Sequence, residues 1–348
     1  MPIPFSTVRG NLSESTASIT SSLLEYRTIH GRTYQASNTT EYWAPNDDKH
    51  IEAFDVAHQW LTMMLGDKLY EAPIGDSPKR ILDVGTGTGI WAIDMADKFP
   101  EAEVIGVDIS PIQPNWVPPN LHFQIDDVQL PWTFEPESFD FIHIRYMHGA
   151  IADWPKLYDE VFKALKPGGW VQQIEPNIEL RTTNPERPMP DDHVFKQWHR
   201  LFYDVGDKIG REFRFDDKNM LGYANGAGFT DVQYKKFSIP LSPWPKDKRL
   251  KDLGLYAGLY LALSLDGFAL FPVGQILGWS LEEVQVLVAN MRSTLKDPRN
   301  RNMSDMHMVI ARKPENSTSS AAPAPAATPA AAPAAAPAAA PAAPAAEL

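Results

Sequence analysis

Residues 81–90, Ile81-Leu82-Asp83-Val84-Gly85-Thr86-Gly87-Thr88-Gly89-Ile90, constrain the fold more than any other part of the chain. A short apolar run passes through an acidic residue into glycines at every second position, then into a helix-forming run at 91–99. That order reads as strand, tight loop and helix, the opening unit of an α/β sheet. Without Cβ atoms the loop can turn sharply and let a ligand press on the main chain. Its free N–H groups stand at a helix N-terminus, which suits an anionic group. Asp83 adds a carboxylate beside the loop. A ligand bearing both an ammonium and a carboxylate, such as the methionine end of S-adenosylmethionine, fits this pairing better than a pyrophosphate does.

A dinucleotide site is the rival reading, and it needs glycines spaced G-x-G-x-x-G. Counted from Gly85 and Gly87, the third glycine would fall on Ile90; counted from Gly87 and Gly89, it falls on Ala92, a tolerated substitute. That register stays open, as does a glycine-rich turn that holds no ligand.

Strand and helix signals alternate after the loop. Strands are expected at 80–84, 103–107, 121–125, 139–144 and 170–175, with helices at 90–99 and 154–165. The second helix closes at Lys166-Pro167-Gly168-Gly169, a helix stop followed by a turn. Such alternation argues for a doubly wound parallel sheet with helices on both faces. Further helices are expected at 50–70, 193–209, 218–227, 250–265 and 280–295, the last opened by a Ser280/Glu283 capping box. Strands at 232–239 and 305–312 complete the pattern.

In such sheets ligands bind beyond the carboxyl ends of the strands. Asp108 ends the second strand, where a carboxylate can accept both ribose hydroxyls or cap the next helix, with Ser110 an equally good cap. Asp126 or Asp127 ends the third, where an acceptor can take an adenine amino group or close an Asx-turn.

Composition narrows the field. Of 348 residues none is cysteine, which removes disulfides, thiolate metal sites and a cysteine nucleophile, and fits an intracellular protein, cytoplasmic or nuclear. A net charge of −12 disfavours direct nucleic-acid binding. Residues 1–40 read as a flexible arm without a secretory signal, and 316–348 as a disordered tail in which Pro325, Pro329, Pro333, Pro337 and Pro341 defeat a helix. Residues 41–315 are expected to form one domain, with cap insertions near 185–215 and 245–280. The apolar stretch 253–281 carries Asp266 centrally, at a cost of about 2.5–3.5 kcal/mol in a bilayer, and Gly267, Pro272, Gly274 and Gly278 interrupt it. It reads as a buried or lid helix rather than a membrane span. Asp191-Asp192-His193 lacks a matching ligand set, so no metal is expected.

The strings Leu82–Gly89, Val107-Asp108, Asp126-Asp127-Val128 and Leu165–Gly169 resemble successive motifs of class I S-adenosylmethionine-dependent methyltransferases. More narrowly, Gly31-Arg32-Thr33-Tyr34, Tyr42-Trp43-Ala44-Pro45-Asn46-Asp47, His143-Ile144-Arg145-Tyr146 with 149–154, and Ala311-Arg312-Lys313-Pro314 resemble the fungal LaeA-like, secondary-metabolism methyltransferases. The likeness spans about residues 26 to 314. It implies a seven-stranded Rossmann-like sheet with the last strand antiparallel. It also implies donor contacts from Asp83, Gly85, Thr86, Gly87, Gly89, Asp108, Ile109, Asp126, Asp127, Val128 and Arg145. The acceptor would be a small molecule or a protein. A second reading is a regulatory subunit that acts through partners of the velvet type.

The donor arrives activated, so an enzyme of this kind mainly aligns the reactants and excludes water; a base is needed only if the acceptor must lose a proton. Arg145, Tyr146 and His148 follow the fourth strand at the mouth of the site and are the candidate catalytic residues, with His148 read more readily as a polar pocket residue than as a base. His143 is expected in the core, and Glu175 either at the acceptor or as a cap. Trp198, Phe202, Tyr256, Tyr260, Phe268 and Phe271 could roof an acceptor pocket, although aromatic residues at helical spacing more often form core.

Overall fold

The computed structural model describes residues 26–37 and 39–315. The arm at 1–25 and the tail at 316–348 lie outside the described residues. The expected arm does not run to residue 40: β1 (Tyr26–Ile29) and β2 (Arg32–Gln35) pair as an antiparallel hairpin. Gly31, at φ 80°, takes the left-handed turn position, and Tyr34 is fully buried, its hydroxyl donating to the Gly267 carbonyl at 2.9 Å.

The hairpin leads to α1 (Asp48–Met64), capped by Asp47, whose carboxylate accepts the His50 N–H. Then follow β3 (Arg80–Val84), α2 (Ile90–Lys98), β4 (Glu103–Asp108), β5 (Leu121–Ile125), β6 (Phe139–Arg145), α3 (Trp154–Ala164) and β7 (Leu165–Thr182). The chain continues through α4 (Val194–Ile209), α5 (Asp217–Gly226), β8 (Thr230–Pro240), α6 (Lys248–Ala269), α7 (Leu281–Lys296) and β9 (Asn302–Arg312).

Seven strands form one sheet in the order β5-β4-β3-β6-β7-β9-β8. β3, β4, β5, β6 and β7 pair in parallel, and β9 runs antiparallel to both β7 and β8, as expected. The chain builds outward from β3 to β5 and then returns to lay β6 on the other side of β3. That reversal opens a crevice beyond the carboxyl ends of β3 and β6. Each sheet face buries its own core. On β3, Ile81 joins the cluster under α1, α2, α4, α6 and α7, whereas Leu82 and Val84 join the one under α3 and α5.

Two elements outrun their expected bounds. β7 extends past 170–175 because β9 pairs with it as far as Thr182, so main-chain bonding carries the strand through Pro176, which breaks the side-chain pattern. It also includes Lys166-Pro167-Gly168-Gly169, expected as a turn. α6 does not end near 265 but passes into a π-helical stretch, Leu270–Ile276. Pro272 has no N–H to give and its ring crowds the preceding turn, and the wider π turn absorbs both. The segment Lys248–Ile276 is long and apolar enough to cross a membrane, yet more than half of its most apolar stretch is buried in the fold. Asp266 within it pairs with Lys49 and Arg292.

Candidate active site

The glycine loop leaves β3 with Gly85, Gly87 and Gly89 all at positive φ, and Gly89 caps α2. A Cβ at Gly89 would collide with the Phe123 ring, so this position tolerates only glycine. A Cβ at Gly87 would meet nothing within 4 Å, because that glycine faces open space. The open space is a cleft of about 800 Å³.

Of the expected donor contacts, Gly85, Gly87, Asp108, Ile109, Asp126, Asp127, Val128 and Arg145 line this cleft. Asp83, Thr86 and Gly89 do not. Asp83 is buried behind the loop, where one oxygen accepts from the Thr86 hydroxyl at 2.7 Å and the other from His143 Nδ1 at 2.8 Å. The His143 ring stacks on Trp91 at 3.8 Å. Burial holds the His143 pKa below its ordinary value despite the Asp83 carboxylate, so the ring is neutral and donates from Nδ1. The expected core position of His143 is therefore correct, but it is a polar core. Asp83 braces the loop from behind and does not line the cleft.

Asp108 accepts the N–H of Gly87 at 2.8 Å and of Ser110 at 2.9 Å. Burial pushes its carboxyl up to about 6, against the pull of those two N–H groups. Asp126 takes the N–H of the next residue, Asp127, and its pKa is raised by burial; the Asx-turn is made by Asp127 instead. Asp127 gives one oxygen to the Gln129 N–H, while its other, Oδ2, is buried without a partner. Arg145 is the one Lys or Arg in the wall; it donates to His58 Nδ1 at 3.2 Å, which leaves His58 Nε2 to donate to Asp94 at 2.8 Å.

The opposite wall was not legible as a site. Tyr42, Asn46, His50 and Phe54 line the cleft from the segment that enters α1. The Tyr-x-x-Pro-Asn-Asp string ahead of a helix was the available signal, yet nothing local placed it opposite the glycine loop. Asn46 Nδ2 and both ring nitrogens of His50 are buried without partners. Burial, reinforced by Arg32, pushes His50 down to about 3, so it is neutral. With Asp127 Oδ2, these orphaned donors and acceptors ring one cavity. Unpaired buried polar atoms of this kind await a polar ligand.

A scan against family models matches residues 57–234 to a methyltransferase domain. The chain belongs to the methyltransferase family. It is 36% identical over 301 residues to Methyltransferase pytC of Aspergillus terreus, covering 86% of this chain and 92% of that one. It is 34% identical to Secondary metabolism regulator LAE1 of Cochliobolus heterostrophus, over 82% of this chain and 94% of the relative. Protein-methionine methyltransferase laeA of Emericella nidulans is 31% identical, over 83% and 77%.

The methyltransferase uses S-adenosylmethionine, and the cleft has the chemistry to hold it. Tyr146, one of three candidate catalytic residues, is shared between the cleft and a second, more apolar chamber of about 680 Å³. His148 faces that chamber rather than the cleft. Trp198, Phe202, Tyr260 and Phe268, read more readily as core than as a pocket roof, line it, whereas Tyr256 is exposed on the far side of α6 and Phe271 packs against Tyr34. Glu175 neither touches the chamber nor caps a helix. It is wholly buried and accepts the N–H groups of Met147 at 3.1 Å and His148 at 3.0 Å, which anchors the turn after β6. At Asp191-Asp192-His193, Asp191 pairs with Lys196, and His193 caps α4.

Proposed function

We propose that the chain methylates a small-molecule or protein acceptor in secondary metabolism, with the donor in the cleft and the acceptor beyond Tyr146. The ring of orphaned polar atoms around the cleft carries this reading. Asp108 would accept the ribose hydroxyls, and Asp127 Oδ2, rather than Asp126, the adenine amino group. Ile109 and Val128 would flank the base. Arg145 would pair with the methionine carboxylate, and the loop N–H groups would add to it. The donor supplies an electrophilic methyl whose departure leaves a neutral thioether. The protein's share is alignment and exclusion of water. The link to secondary metabolism rests on the names of the relatives.

The regulator names among them also favour a second reading, a regulator, for which the family resemblance suggests a partner of the velvet type. Either role belongs inside the cell, in the cytoplasm or the nucleus. Calorimetric titration of S-adenosylmethionine into the folded protein tests the first reading, with micromolar or tighter binding expected. Absence of heat at saturating donor would sink it. Affinity capture with a velvet-type protein tests the second, and a failure to form a stable complex counts against it.

A further inference from the structure

The second chamber differs in kind from the cleft. Its walls come from the Trp43 segment, α4, α6 and the extended half of β7, through residues such as Trp43, Trp198, Phe202, Tyr260 and Leu180. No Lys, Arg, Asp or Glu side chain lines it. Every lining residue is buried except Pro176, Asn177, Ile178 and Leu261, so one end alone reaches the surface. Its polar groups are few: the Tyr146 and Tyr260 hydroxyls, His148, Asn177, Ser304 and the indole N–H groups of Trp43, Trp60 and Trp198, of which Trp60 Nε1 is buried without a partner.

Two acceptor classes fit this lining badly. A charged group would be buried with no countercharge, which costs several kcal/mol or more. A peptide segment would bring backbone N–H and C=O groups that so few polar partners cannot satisfy. A flat, neutral ring system meets aromatic edges and faces on most sides.

His148 adds the chemistry. Its Nδ1 is buried without a hydrogen-bond partner and lies 3.7 Å from Glu175 Oε2. Glu175 is fixed by the two N–H groups it accepts, and a base held by an orienting carboxylate commonly shows a long contact until substrate closes it. With Nδ1 turned to Glu175, Nε2 is left to the chamber. A thioether or a free amine can be methylated without losing a proton first, whereas a hydroxyl acceptor needs a base. Tyr146 stands between the two cavities at φ 55°, a conformation that a bulky side chain adopts only under constraint.

We propose that this chamber binds a neutral, flat, largely apolar small molecule bearing a phenolic or enolic hydroxyl, and that His148, positioned by Glu175, takes its proton at Nε2. The proposal rests on the methyltransferase reading of the neighbouring cleft. The proton leaves the hydroxyl for the imidazole, the oxygen keeps its bonding pair for the incoming methyl, and Glu175 stabilises the imidazolium across Nδ1.

The test uses the full chain with 4-nitrophenol, 4-nitrobenzoate and a methionine-containing peptide as probes, read by quenching of tryptophan fluorescence. Trp43, Trp60 and Trp198 line the chamber, so a nitroaromatic bound there quenches them. At a pH where the phenol is neutral and the benzoate charged, the phenol should bind about tenfold tighter or better, since each 1.4 kcal/mol is a factor of ten. Ile178→Trp at the mouth, and Ala257→Leu in the wall, should each weaken it at least about fivefold. Two variants guard against one failing to fold, with circular dichroism as the check. Absorbance of bound nitrophenol should show its ionisation moving to higher pH in His148→Gln, and part-way in Glu175→Gln. No movement in either variant overturns the base assignment. Equal affinity for the benzoate, no saturable quenching, or quenching by the peptide alone overturns the acceptor class. Calorimetry with S-adenosylmethionine on the same samples separates the two failures. Donor binding without phenol binding sinks only the chamber; loss of donor binding sinks the methyltransferase reading and the chamber with it.

Discussion

Asp108 shows what single residues contribute and where reading them alone fails. Its place at the end of β4 was legible, because an acid after an apolar run in an alternating pattern falls at the mouth of a parallel sheet. Its raised pKa was not, since that follows from burial between the glycine loop and Ser110. The sign for binding is direct. Ribose hydroxyls donate to a carboxylate, and protonation removes an acceptor, so donor affinity should fall as pH drops through about 6. Calorimetry between pH 8 and 5 (about three units spanning that value) checks it. Asp108→Asn should weaken the donor at least about tenfold, roughly 1.4 kcal/mol, and flatten this pH dependence. Unchanged affinity removes Asp108 from the ribose site. Asp83 is the counter-example: its residue type and position promised a ligand contact, and a histidine on the neighbouring strand claimed it instead.

At the scale of elements, caps read well and ends set by partners read poorly. The capping box opening α7 is present, with the Ser280 hydroxyl accepting the Glu283 N–H and the Glu283 carboxylate accepting the Ser280 N–H. Both halves lie within four consecutive residues, so local sequence suffices to specify them. Ser280→Ala should cost about 1 kcal/mol in urea unfolding while leaving donor affinity unchanged, because α7 does not touch the cleft. A change in donor affinity would show that α7 is coupled to the site. The far end of β7 and the π-helical end of α6 obey a different logic. Each is held by contacts with residues distant in the chain, β9 for the strand and the hairpin's Tyr34 beside α6.

In the whole molecule, ion pairs tie down the wall opposite the glycine loop, and the most buried of them is Arg32–Asp47. Arg32 of the hairpin grips Asp47, the α1 cap, through Nε at 2.5 Å and a second guanidinium nitrogen at 2.8 Å. Burial by itself would raise the Asp47 carboxyl; Arg32 and the N–H groups of His50 and Thr33 outweigh it and hold the pKa below its ordinary value. A carboxyl lowered on folding stabilises the fold above its unfolded pKa, near 3.9, and that stability is lost as pH falls through the folded value. Arg32→Met should therefore lower the melting temperature at neutral pH and make melting less acid-dependent. It should also weaken donor binding, because Asn46 and His50 lie beside the pair. A melting curve with unaltered acid dependence would mean that this pair does not secure the wall. By itself the sequence determined the alternating strands and helices of the sheet and the glycine loop at its mouth, because periodicity, glycine spacing and caps act within a few residues; the antiparallel last strand came from the family resemblance. Only the tertiary structure decided that Asp83 faces inward, that the Tyr42–Phe54 side closes the cleft, and that Tyr146 joins it to an aromatic chamber. Those outcomes depend on which distant side chains pack together, and local propensity carries no record of that.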